Sequence, residues 1–92
     1  MLIYSLVWTL IGCAEENSCK TYVEAAATCA TGAGGDPSPY DAAIICGDWL
    51  EADEAKFGEW YRCRTAAIEA GDCTTADGLD AALADAESCP QP

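Results

Sequence analysis

Seven cysteines stand in this chain of 92 residues, and there is no histidine. They are Cys13, Cys19, Cys29, Cys46, Cys63, Cys73 and Cys89. Thiols at this density can ligate a metal, act as nucleophiles or redox groups, or close disulfides. Metal ligation is disfavoured, because the usual zinc sites draw on Cys-x-x-Cys pairs and histidine and the chain has neither. Cys-x-x-Cys-His haem attachment is absent as well. Without histidine, Ser-His and Cys-His nucleophile systems cannot be assembled. Disulfide bridging remains, and a disulfide framework implies an oxidising compartment.

The other polar residues yield no catalytic set. Sixteen acidic residues face four basic ones, for a net charge of −12. That balance argues against nucleic acid and against adsorption to anionic lipid through a basic face. It suits solubility through self-repulsion, or a basic partner steered by the field. Asp48, Glu51, Asp53 and Glu54 cluster but lack the alternating order of an EF-hand loop, and read as a solvated acidic turn. Gly32, Gly34 and Gly35 are not followed by Lys-Ser/Thr, so they read as a loop and not a phosphate cradle. No catalytic residue, metal or cofactor is expected, and the chain reads as non-enzymatic.

The elements that position the cysteines read as helices. A first helix covers about residues 16 to 30 and stops at Thr31-Gly32-Ala33-Gly34-Gly35-Asp36-Pro37. A second starts with Ser38 as N-cap, Pro39 at the first helical position and Asp41 at the capping-box position, and runs to about Leu50. A third, from about Asp53 to Ala70, carries Phe57, Trp60, Tyr61, Arg64 and Ile68 as one amphipathic stripe. Thr74 with Asp77 caps a fourth, which places Leu79, Ala82, Leu83 and Ala86 on one face, reaches Cys89 and stops at Pro90. Trp49, Phe57, Trp60 and Tyr61 form the main aromatic concentration. They either fill the centre of a domain with few other large side chains or form an exposed edge that binds a partner.

The two halves resemble each other. Cys19-Lys20-Thr21 matches Cys63-Arg64-Thr65, and Cys29-Ala30-Thr31 matches Cys73-Thr74-Thr75. Tyr40-Asp41-Ala42-Ala43-Ile44 matches Leu79-Asp80-Ala81-Ala82-Leu83. The predicted fold is therefore all-α: a small disulfide-stapled bundle of about four helices, read as two duplicated αα-hairpins. In an antiparallel hairpin the start of the first helix lies beside the end of the second. The repeat thus favours Cys19–Cys46 and Cys63–Cys89, with Cys29–Cys73 joining the halves.

The first twelve residues, Met-Leu-Ile-Tyr-Ser-Leu-Val-Trp-Thr-Leu-Ile-Gly, carry no charged side chain. As a helix they would span about 18 Å, too short for a bilayer core of about 30 Å, but near the length of a signal-peptide core. They end in Leu10-Ile11-Gly12-Cys13, which resembles the lipobox of bacterial lipoproteins. The resemblance implies a diacylglycerol thioether on Cys13 and cleavage after Gly12. Its one departure is the lack of Lys or Arg before the apolar core. Setting Cys13 aside leaves six cysteines, an even number for three bridges.

Cys19-x9-Cys29 and Cys63-x9-Cys73 also resemble the twin Cys-x9-Cys motif of mitochondrial intermembrane-space hairpins. That resemblance implies a rival pairing, Cys19–Cys73 and Cys29–Cys63, with Cys46–Cys89 left over. The chain is read as a signal peptide (1–12), a lipidated N-terminus and spacer (13–18) and a disulfide-rich helical domain (19–92). The expectation is a lipid-anchored protein of the bacterial cell envelope serving as a structural or protein-interaction module. The alternative is a domain binding a small apolar ligand or lipid in a cavity lined by Val23, Ile45, Trp49 and Ile68.

Overall fold

The computed structural model describes residues 16–92. The signal-like run, Cys13 and the first part of the spacer lie outside the described residues. Four helices follow one another: α1 (Ser18–Gly32), α2 (Ala42–Ile45), α3 (Glu51–Ala70) and α4 (Ala76–Glu87), with no strand among the described residues. The domain is all-α and disulfide-stapled.

In α1, Cys19, Tyr22, Val23, Ala26, Cys29 and Ala30 are buried. Their spacing of three and four residues lays one stripe along the helix. Asn17 caps the start by accepting from the Lys20 amide at 2.9 Å. At the other end the Ala33 amide donates to the Cys29 carbonyl and Gly34 takes φ +80°. That conformation is open to glycine and strained for other residues.

The second helix is shorter than expected and differently capped. It spans Ala42–Ile45 only, and Asp41, not Ser38, is its N-cap, accepting from the Ala43 amide at 2.9 Å. The cause is visible: Asp36 already accepts from both the amide and the hydroxyl of Ser38. Beyond Cys46, Gly47 at φ +57° turns the chain out of the helix.

The fourth helix shows the same displacement of its cap. Asp72 takes the Thr74 amide and hydroxyl, so Thr75 becomes the N-cap and accepts from Gly78 at 3.0 Å. The helix ends at Glu87, two residues before Cys89. In α3, Asp53 accepts from the Leu50 amide at 3.0 Å. Glu51, Asp53 and Glu54 place negative charge in the first turn, where the helix dipole favours it.

α1 and α3 form the main packed pair, and α4 lies against α3. Their shared core joins the α1 stripe to Ile68 of α3 and to Ala82 and Ala86 of α4. Small residues let these helices approach closely: a Cβ on Gly71 would stand 2.6 Å from the Ala82 Cβ.

Three disulfides complete the framework. Cys19 is bonded to Cys46, Cys29 to Cys73 and Cys63 to Cys89, with Cα separations of 6.0, 4.8 and 6.1 Å. The first and last close the two hairpins, and the middle one joins them. The pairing taken from the Cys-x9-Cys resemblance does not form. It would link Cys19 to Cys73, but Cys19 stands at the start of α1 and Cys73 sits beside Cys29 and Gly32 at its far end.

Candidate functional site

The aromatic residues gather where the loop after α2 meets α3. Leu50 and Asp53 set the helix start, which brings Trp49 back over the first turns of α3. The Trp49 ring lies 6.5 Å from Phe57 and 5.6 Å from Tyr61, the latter edge-on. Tyr61 continues to Trp60 at 4.8 Å and to Tyr22 of α1 at 5.7 Å. These separations are those of favourable aromatic pairs. Trp49, Phe57, Trp60 and Tyr61 are all half-buried. Trp49 and Tyr61 pack against the core, so the group is neither wholly interior nor an open edge.

Two charged residues pin this cluster. The Arg64 guanidinium sits 4.7 Å from both the Tyr22 and the Trp60 ring centres, the stacked geometry that favours arginine. It also donates to the Tyr22 hydroxyl at 3.0 Å and to the Ala86 carbonyl at 3.3 Å. One side chain therefore ties α1, α3 and α4 together.

Glu54 is the second pin. Its carboxylate accepts from the Ser18 amide at 2.9 Å, the Ser18 hydroxyl at 2.6 Å, the Trp49 indole at 2.9 Å and Arg62 at 2.9 Å. Arg62 also reaches Glu16 at 3.4 Å. Burial opposes charge on Glu54, but the Ser18 hydroxyl and amide, the Trp49 indole and Arg62 together outweigh it. The carboxyl is held below its usual value.

The acidic turn resolves into separate jobs. Asp53 caps α3, Glu54 locks α1 to α3, and Asp48 and Glu51 are exposed. Among the described residues no group of three or more carboxylates and cysteines is placed to hold a metal ion. Nor is any helix among them long and apolar enough to cross a membrane.

Of the residues expected to line an apolar cavity, Val23 and Ile68 are packed in the core, Trp49 is half-buried and Ile45 projects to solvent. A groove of about 380 Å³ does lie between α1 and α3, walled by Thr21, Ala25 and Ile68 with Glu24 and Glu69 at its sides.

Reading the sequence missed Arg64 as a binder of rings and Glu54 as a lock. Arg64 falls on the aromatic stripe, which is a signal in retrospect. The Glu54–Ser18 contact spans 36 residues of chain and leaves no local trace.

No family model matches the chain, and no curated protein or solved structure matches it either.

Proposed function

We propose that this chain is an exported lipoprotein, anchored through Cys13, whose disulfide-stapled domain acts as a non-enzymatic structural or protein-interaction module. The observation that carries the reading is Leu10-Ile11-Gly12-Cys13 together with the cysteine arithmetic. The three bridges use six cysteines in pairs, and the seventh is the one at the lipobox position. Disulfides also suit an exported protein. Hydrogen bonds from the terminal nitrogens of Arg64 and to the Glu54 carboxylate join helices, which supports a structural reading of both side chains.

A mature lipoprotein carries two or three acyl chains, enough for stable attachment, whereas one chain holds only marginally. The chain from Cys13 to Cys19 can span at most about 21 Å, so the folded domain would sit close to the bilayer.

Feeding labelled palmitate to a bacterial host producing the full chain tests this reading. Label should enter the wild-type protein and be lost in Cys13→Ser, with the three bridges intact in both. An unlabelled wild-type chain would refute the anchor.

A further inference from the structure

Ile44, Ile45 and Leu50 are the large aliphatic side chains most open to solvent among the described residues, with exposures of 80%, 45% and 64%. They fall within seven residues of sequence, on α2 and the loop that follows, and α2 buries none of its own residues. Single exposed aliphatics are ordinary, whereas contiguous apolar patches serve as contact surfaces.

Their place in the fold says what covers them. Cys46 is the C-cap of α2 and is bonded to Cys19 in the first turn of α1, with Cα atoms 6.0 Å apart. The aliphatic group is thus stapled to the end of the domain where the chain arrives from Cys13.

We propose that Ile44, Ile45 and Leu50 form a membrane-contacting face that enters the interface of an uncharged, zwitterionic lipid surface beside the Cys13 anchor. The proposal rests on the lipid-anchor reading above.

Charge decides which lipid. Asp41, Asp48, Glu51 and Asp53 flank the three aliphatics in sequence, and no Lys or Arg stands between Lys20 and Lys56. Asp41 and Asp53 are turned to backbone amides, at Ala43 and Leu50. Asp48 and Glu51 remain exposed and would be repelled by anionic headgroups, a penalty that zwitterionic headgroups do not impose. A basic protein would be drawn by the same carboxylates. The short tether, however, holds this face at the bilayer, where lipid has the highest effective concentration.

The test uses the full chain, produced in a lipidating bacterial host, checked by intact mass and reconstituted into phosphatidylcholine vesicles. The readout is hydrogen exchange of the Ile44, Ile45 and Cys46 amides, which close α2 onto Asp41 and Ala42. With Cys13 acylated, these amides should exchange about tenfold more slowly than in the acylated Ile44→Ser/Ile45→Ser/Leu50→Ser chain, after correction for intrinsic rates, while core amides match. Equal protection in the two acylated chains overturns the membrane face and leaves the anchor standing. A chain that keeps residues 1–12 and carries no lipid overturns both.

A second readout does not depend on the stability of α2. In an acylated Trp60→Phe chain, Trp49 emission should be quenched by phosphatidylcholine brominated near the headgroup, and less so with the three serines added. Unquenched Trp49 contradicts the proposal.

Discussion

α2 and α4 occupy matching places in the two hairpins, each bridged back to the long helix before it, yet they are built differently. α4 runs for 12 residues and buries Ala82 and Ala86 against α3 and α1. α2 runs for four and has no fully buried residue, only Ala42 half-buried against the core. The matched sequences are nearly the same, Tyr40-Asp41-Ala42-Ala43-Ile44 against Leu79-Asp80-Ala81-Ala82-Leu83. The difference lies on the two flanks: downstream, Gly47 at φ +57° ends α2 early, and upstream a proline intervenes. In that alignment Pro39 stands where Gly78 donates its amide to the cap of α4, and a proline has no amide to give. Pro39 also steers Ser38 out of helical dihedrals. The second hairpin is therefore held by buried helix packing and a bridge, and the first by its bridge and the partial packing of Tyr40, Ala42 and Trp49 on the core. Pro39 before the helix and Gly47 after it leave α2 a single short turn that presents Ile44 and Ile45 to solvent.

The largest expected effect removes the comparison altogether. Reducing all three bridges, each typically contributing about 2–4 kcal/mol, should abolish the cooperative thermal transition seen by circular dichroism. Retention of full helicity and a cooperative melt after reduction would show that packing alone suffices. Next comes the link between the halves. Cys29→Ala/Cys73→Ala opens a closure of 44 residues and should cost about 3–4 kcal/mol in a urea titration.

Matched substitutions then sharpen the contrast directly. Ala82→Leu overfills the α3–α4 contact and should cost about 1–3 kcal/mol. Ala43→Leu, at the equivalent exposed position of α2, should change stability by less than about 0.5 kcal/mol. Similar losses at both sites would mean that α2 is packed after all.

A smaller loss than that at Ala82 is expected at Glu54, which ties the start of α3 to the start of α1. Because its folded-state pKa is depressed below the ordinary value of 4.5, its contribution is present above that value and is lost as pH falls through the folded pKa. Glu54→Gln should cost about 1–2 kcal/mol at pH 7, and the gap to wild type should close as the solution is acidified below 4.5. A gap independent of pH would remove the carboxylate charge from the account.

Much of this was legible in the sequence, for reasons tied to particular residues. Periodic spacing of apolar residues was enough for the helices, and the Cys–Thr repeats, which mark two like hairpins, were enough for the pairing, although the bridges themselves span 26 to 44 residues. The caps at Ser38 and Thr74 were misread for one shared reason. In each half an aspartate two residues upstream, Asp36 or Asp72, captures the amide and hydroxyl that the cap needed. An Asp-x-Ser/Thr triplet before a helix is the signal that reveals it. The Arg64 sandwich and the Glu54 lock were not legible, since their partners Tyr22 and Ser18 lie 42 and 36 residues away in the chain. Such contacts follow from tertiary packing, to which periodicity is blind.

The most direct test of the central claim is the intact mass of the protein extracted from its native membrane. The chain should start at Cys13, carry the added mass of its acyl groups and lack the six hydrogens of three bridges. A chain that retains residues 1 to 12 with Cys13 unmodified would contradict it.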